Sequence, residues 1–225
     1  MDMVIPDTLL RRLDVPGPRY TSYPTADRFV EAFGADDYRT ALQQRAQGAR
    51  IGGSAPLSVY LHIPFCESVC YYCACNKVIT KHHDRAAEYL DALDAEIALN
   101  VAEIGLGSSV TQLHFGGGTP TFLSDAELER LMNSLRRAFR IVPGAEVSIE
   151  VDPRTADGER LRTLAALGFN RLSFGIQDFD PEVQKAVHRI QSHDSVAALI
   201  AKAREIGFDS INADLIYGLP RQTPE

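Results

Sequence analysis

From residue 57 onward, short apolar-rich runs alternate with longer stretches whose apolar residues recur every three or four positions. "LSVYLHI" (57–63), "VTQLHF" (110–115), "EVSIEV" (146–151), "RLSFGIQ" (171–177) and "SINADLIYG" (210–218) carry β-branched and aromatic residues in strand style. Between them lie helical patterns. Ala86, Leu90, Leu93, Ile97, Val101 and Ile104 keep helical spacing and stop at Gly105. Leu128, Leu131, Leu135 and Phe139 follow a capping box of Ser124 with Glu127. "GERLRTLAALG" ends at Gly168, Asp180-Pro181 opens the next helix, and "SVAALIAKAREIG" leads to the fifth strand. Leu172, Phe174 and Ile176 alternate toward one side of the fourth.

Strands alternating with helices predict βαβ units, a parallel sheet and right-handed crossovers. Five strands fall short of a closed eight-stranded barrel, so the expected fold is α/β, an incomplete (β/α) barrel. The last residues, Thr223-Pro224-Glu225, look like a helix start, and the chain is expected to be the N-terminal portion of something longer. Residues 1–55 read as an extension, irregular around Pro6, Pro16, Pro18 and Pro24 with one helix near Asp36–Gln47. The loop "ARIGGSAP" (49–56) leads into a domain at 56–225.

Composition narrows the function classes. With 225 residues and 45% hydrophobic content the chain can bury a sizeable core. Its net charge of −7 and lack of like-charge blocks point away from nucleic acid and from a membrane surface. The N-terminus lacks the pattern of a secretory signal, and no apolar run approaches the roughly 18 residues of a span. A soluble cytoplasmic protein is expected.

The chemistry gathers where the strands end. The first is followed by "PFCESVCYYCACNK", which holds all four cysteines: Cys66, Cys70, Cys73 and Cys75. "GGGTPT" (116–121) follows the second; Glu150 and Asp152 end the third, Gln177 the fourth, Asp214 and Tyr217 the fifth. Barrel-like folds build their sites on that face. Two disulfides within ten positions would be sterically awkward, and the reducing cytoplasm disfavours them. Zinc would need a second ligand pair at a distance or suitably placed histidines, and His82-His83 read as a solvated loop pair. Cys66-x3-Cys70-x2-Cys73 suits an iron–sulfur cluster held at three corners. Glu150, ending a buried strand, reads either as a salt-bridge partner or as a ligand contact. Asp152 before Pro153 reads as a turn former, Arg189 as an ordinary helix charge or a contact, and His62 and His114 as satisfied core histidines.

This combination resembles the radical S-adenosylmethionine superfamily. Within it, "RYTSYPTA" (19–26), "VYLHIPFC" (59–66), "CYYCACNKVIT" (70–80), "HFGGGTPT" (114–121), "SIEVDP" (148–153), "FGIQDF" (174–179), "VHRIQ" (187–191) and "NADLIYGLP" (212–220) resemble the oxygen-independent coproporphyrinogen III oxidases. The resemblance implies a [4Fe-4S] cluster on Cys66, Cys70 and Cys73 and two molecules of S-adenosyl-L-methionine. Tyr60, Gly117 and Glu150 would contact the cluster-bound molecule; Tyr72, Gly118, Thr119, Gln177, Arg189 and Asp214 would contact the second. It further implies that a 5′-deoxyadenosyl radical removes hydrogen from two propionates of coproporphyrinogen III. Loss of CO2 and an electron then leaves the vinyl groups of protoporphyrinogen IX, in haem biosynthesis. The implied partners are a reduced flavodoxin- or ferredoxin-like donor and the porphyrinogen, with the protein a monomer. Tyr72 stands where the family has phenylalanine and Ala74 where it usually has glycine. A haem chaperone-like relative, which binds haem without this oxidation, is the alternative; such relatives generally lack Cys75 and the "YTSYPTA" segment, both present here. Cys75 is expected beside the cluster, not as a fourth ligand.

Overall fold

The computed structural model describes residues 6–14, 25–51 and 56–223. The chain divides into two compact units, 1–44 and 45–225. The first holds a short helix, α1 (Asp7–Leu13), entered after Pro6, a single 3-10 turn at Ala26–Arg28, and the start of α2 (Ala35–Arg50). The sequence pattern missed α1 and placed α2 within a few residues. Pro16, Pro18 and Pro24, residues 19–24 of "RYTSYPTA", 52–55 of the expected loop, and Pro224-Glu225 lie outside the described residues.

In the second unit, β1 (Leu57–Ile63), β4 (Ser108–Gly117), β5 (Phe139–Val151), β6 (Arg171–Gln177) and β7 (Ser210–Leu215) form one sheet in the order β1-β4-β5-β6-β7. Every pairing is parallel, as helix-linked strands require. The links are α3 (Asp84–Ile104), α4 (Asp125–Ala138), α5 (Gly158–Ala166), and α6 (Pro181–Ala186) with α7 (His193–Ile206). The Ser124–Glu127 capping box and the Asp180 cap before Pro181 both form.

The alternation along each strand explains the layers. Leu61 and Ile63, Leu113 and Phe115, Val147 and Ile149, Leu172 and Phe174 are buried. They share one core with Leu90 of α3, Leu128 and Leu135 of α4, Leu161 of α5 and Val196 of α7. Each such Leu or Phe contributes roughly 1.5–3 kcal/mol by leaving water. The intervening residues carry polar groups that meet on the opposite, inner face. Ser58 donates to Gln112 (2.7 Å), the His114 and Ser148 side chains meet at 2.7 Å, and Asn212 donates to Ser173 (3.0 Å). Two faces of opposite character fix the register, because a one-residue slip would exchange them.

Two details depart from the sequence pattern. β5 begins at Phe139, not near Glu146, because the ladder resumes after an excursion: Val110 pairs with Ile141, but Gln112 already pairs with Glu146. Pro143, which has no N–H, and Gly144, with φ +79°, make up that excursion. The second is a miniature parallel pair, β2 (Phe65–Cys66) with β3 (Val78–Ile79), closing the base of the cysteine loop. It is too short for any periodicity to reveal.

Candidate functional site: a cysteine-lined cavity at the strand ends

The cysteine loop is pinned at several points. Val78 N donates to Pro64 O (2.8 Å) and Thr80 N to Cys66 O (2.9 Å), so both ends of the loop meet. Cys73 N closes a turn on Cys70 O (3.0 Å), and Lys77 reaches the carbonyls of Cys73 (3.1 Å) and Cys75 (3.4 Å). On the far side Tyr71 N donates to Val187 O (3.0 Å), and His188, itself at φ +57°, sits 2.9 Å from Val69 O through Nδ1. The rings of Tyr71 and His188 stack with centroids 5.4 Å apart.

The glycine run packs against the start of this loop. Gly118 N donates to Ile63 O (2.8 Å), and a Cβ on Gly118 would lie 2.6 Å from Pro64 O. Gly117 adopts φ +118° and donates to Glu150 Oε2 (3.1 Å). Here the absence of side chains is a steric condition of the strand-to-loop crossing. Thr119 Oγ1 stands 3.3 Å from Cys66 Sγ. Burial pushes the Cys66 thiol up, and the Thr119 hydrogen bond partly opposes that.

A cavity of about 550 Å³ opens between these elements, lined by all four cysteines and by the ends of β4, β5, β6 and β7. Of the residues singled out in the sequence it gathers Cys66, Cys70, Cys73, Tyr72, Gly117, Gly118, Thr119, Glu150, Gln177, Arg189 and Asp214. Tyr60 is not among its lining. It lies on the inner face beside it, 57% exposed, stacked on His114 (5.8 Å, 22°), its hydroxyl 2.9 Å from His62 Nδ1. Burial raises its phenol, and the Glu150 charge adds to that. Burial likewise raises Tyr72, despite the Arg189 guanidinium nearby.

Asp152 is more than a turn former. Its carboxylate accepts from Arg154 N (3.0 Å), and its carbonyl accepts from Thr155 N (3.0 Å), so the turn exists. The same carboxylate, only 8% exposed, binds two guanidiniums: Arg154 Nη2 at 2.7 Å and Arg189 Nη1 at 3.1 Å. Burial alone would raise its pKa, but the Arg154 hydrogen bonds and the charges of Arg189 and Arg154 win, and it ends lower. Arg189 is no ordinary helix charge either. It is 7% exposed, donates to Gly175 O (2.5 Å), and occupies space a Cβ on Gly175 would contest at 3.1 Å.

Arg154 escaped the sequence reading. Its one available signal was the Asp-Pro-Arg run just past a strand's C-terminal end. The cluster that holds Asp214, itself singled out in the sequence, was likewise missed: Ser173 and Asn212 donate to its carboxylate at 2.9 and 2.8 Å. Strand alternation could have found it. His62 and His114 are satisfied, as expected, although on the polar inner face instead of in the core. His62 Nε2 lies 2.7 Å from Asn76 O, and His114 Nε2 lies 3.5 Å from Glu150 Oε1.

The residues present fit a thiolate-held cluster. No three His, Cys, Asp or Glu among the described residues converge on one ion position, yet the thiols of Cys66, Cys70 and Cys73 face one cavity from one loop. A cube presents separate iron corners, so its ligands need not share a point. Arg189 Nε, buried in the cavity wall, has no hydrogen-bond partner among the described residues. That orphaned donor is a cost unless a ligand accepts from it.

Comparison with known proteins follows the same lines. Residues 60–225 match the family model described as Radical SAM superfamily. The chain is 50% identical over 217 residues to the oxygen-independent coproporphyrinogen III oxidase of Escherichia coli (strain K12), covering 96% of this chain and 46% of that one. It is 46% identical over 211 residues to that of Helicobacter pylori (strain J99), covering 93% and 46%. The solved structure of coproporphyrinogen III oxidase from Escherichia coli, described as a radical SAM enzyme, superposes with a TM-score of 0.86 at 48% identity, covering 97% of this chain and 47% of that one. The chain thus spans about half the length of the curated relatives it matches.

Proposed function

The chain belongs to the radical SAM superfamily, and from that premise we propose that the protein oxidatively decarboxylates two propionates of coproporphyrinogen III, giving protoporphyrinogen IX without oxygen. One observation carries the reading: three thiols on one loop and the polar ends of four strands line a single cavity. Its likeness to named coproporphyrinogen III oxidases supplies the substrate class.

When bound at Cys66, Cys70 and Cys73, a [4Fe-4S] cluster with S-adenosyl-L-methionine would supply reductive cleavage of the sulfonium and a carbon radical able to remove hydrogen. The chain's own residues do the holding. Glu150, poised by Gly117 N, is a carboxylate for the cofactor's ammonium group, and Tyr60 borders that spot through His114. Thr119 hydrogen-bonds the Cys66 corner. Tyr72, Gly118, Thr119, Gln177, Arg189 and Asp214, which line the same cavity, would contact a second S-adenosyl-L-methionine. Each propionate would lose one hydrogen atom to the cofactor-derived carbon radical, CO2 to solution and one electron to an external one-electron acceptor, and so become vinyl. The same reading implies a one-electron donor of the flavodoxin or ferredoxin kind, a monomer, and a cytoplasmic setting.

The test is anaerobic reconstitution with iron and sulfide, followed by reduction with S-adenosyl-L-methionine and then with coproporphyrinogen III. Cluster absorbance, 5′-deoxyadenosine and protoporphyrinogen are the expected products in the full-length protein. Iron uptake and cofactor cleavage with haem binding but no protoporphyrinogen would overturn the substrate assignment. Zinc uptake without iron would overturn the cluster.

A further inference from the structure

Two guanidiniums, not one, stand at the Cys70 corner of the cavity. Arg189 Nη1 lies 3.5 Å from Cys70 Sγ and Arg154 Nη2 lies 3.8 Å from it. Arg154 is anchored firmly. Its Nε lies 3.0 and 3.2 Å from the two oxygens of Asp152, its Nη2 lies 2.7 Å from Oδ2, and its backbone N donates to Oδ1. Such a fork is a geometry that arginine offers and lysine does not. Asp152 is fixed in turn by Thr155, whose N and Oγ1 each donate to its carbonyl at 3.0 Å.

Charge balance does not account for Arg154. The buried Asp152 already has Arg189 as a partner at 3.1 Å, which suffices to neutralise one carboxylate. The second guanidinium leaves an excess positive charge, and beyond Asp152 its Nη2 meets the Cys70 sulfur at 3.8 Å. Arginine stays protonated across the accessible pH range, so this charge is permanent.

We propose that Arg154 is a potential-setting residue: held by Asp152, it places a fixed positive charge at the Cys70 thiolate and eases one-electron reduction of the cluster. The inference rests on Cys66, Cys70 and Cys73 being the cluster's ligands. In the step concerned, a reductant of the flavodoxin or ferredoxin class loses one electron and the cluster gains it; no proton moves. The thiolate-bound cluster becomes one unit more negative, and an adjacent cation stabilises the more negative form more. Net charge and hydrogen bonds to sulfur are the recognised levers on such potentials. The partly buried setting keeps the interaction stronger than in bulk water. Arg154 acts through Cys70 and is a positioning residue, not a catalytic one.

The experiment is a redox titration of the reconstituted full-length protein, following the reduced cluster by electron paramagnetic resonance, with iron and sulfide content measured on each sample. Arg154→Gln is expected to keep the cluster and its signal shape while lowering the reduced-to-oxidised ratio at fixed potential about three- to tenfold, roughly 30–60 mV for one electron. Asp152→Asn removes the compensating negative charge while an oxygen remains at the Oδ1 position to accept from Arg154 N and Nε, and it is expected to raise that ratio. Arg130→Gln on α4, outside the cavity, should leave it unchanged. An unaltered ratio in Arg154→Gln with the cluster retained would refute the proposal. Loss of the cluster from both Arg154→Gln and Asp152→Asn would also overturn it, since Arg154 would then serve assembly. Failure of the wild-type protein to take up any cluster would instead overturn the ligand assignment beneath it.

Discussion

A methyl group added to Gly118 would meet the carbonyl oxygens of Pro64 and Phe65 at 2.6 and 2.8 Å. Both obstacles are backbone, so relief requires moving the entry to the cysteine loop. Gly118→Ala is expected to cost about 1–3 kcal/mol, the range of overpacking, and to lower iron uptake because Cys66 moves with Phe65. Thermal melting of the cluster-free protein and iron content after reconstitution would check both parts; an unshifted melt would count against the packing argument. Asp152 illustrates a different constraint. Removing it in Asp152→Ala leaves Arg189 buried without a counter-charge, a loss on the order of 3–5 kcal/mol. Its sign with pH is definite. The folded carboxyl lies below its ordinary 3.8, so its stabilisation is complete above that value and disappears as pH falls through the lower, folded pKa. The stability gap between wild type and Asp152→Asn in urea unfolding should therefore be constant from pH 8 to 5 and close below about pH 4. A gap that widens in acid would contradict the assignment.

At the scale of elements, the capping box shows how local rules set a boundary. The Ser124 hydroxyl accepts from Glu127 N, and the Glu127 carboxylate accepts from Ser124 N at 2.8 Å. Ser124→Ala is expected to cost about 0.5–2 kcal/mol, visible as a lower melting temperature. Placing α4 also helps place the strand end that carries Gly117. β1, β4, β5 and β6 were legible because each buries one face under helices, and that burial writes period two into Leu172-Phe174-Ile176. β7, with no buried residue, was legible from its place after a helix that stops at Gly207. The early start of β5 was not, because the ladder tolerates the Pro143-Gly144 excursion and resumes, which only the register with β4 reveals. The cavity residues could be read at strand ends, since that is where a parallel sheet puts its loops. Arg154 could not: its role arises from Cys70, 84 positions earlier in the chain. No spacing rule encodes a contact between two loops brought together by sheet order. The second partner of Asp152 was hidden for the same reason, since Arg189 arrives from the segment after α6.

Across the whole second unit, the sheet is open, and β1 and β7 are its edges. Among the described residues β7 pairs only with β6, its residues Asn212 to Leu215 are exposed, and just beyond it Tyr217 is 96% exposed. Unpaired edges and large exposed side chains of this kind are normally covered by further chain. Asp214, a cavity residue, sits on that same edge, so whatever steadies β7 also steadies the cavity's wall. The relatives are about twice as long as this chain. The 225-residue chain alone is therefore expected to take up iron but lose it on desalting, and to form no protoporphyrinogen. Extended to the length of the relatives, it should retain its iron. Amide exchange supplies a measure independent of turnover. The β7 amides should exchange at least tenfold more slowly in the longer protein, while those of central β5 change little, because local opening scales with missing contacts. Equal β7 protection in the two lengths, or turnover by the short chain, would show that this edge is stable as it stands.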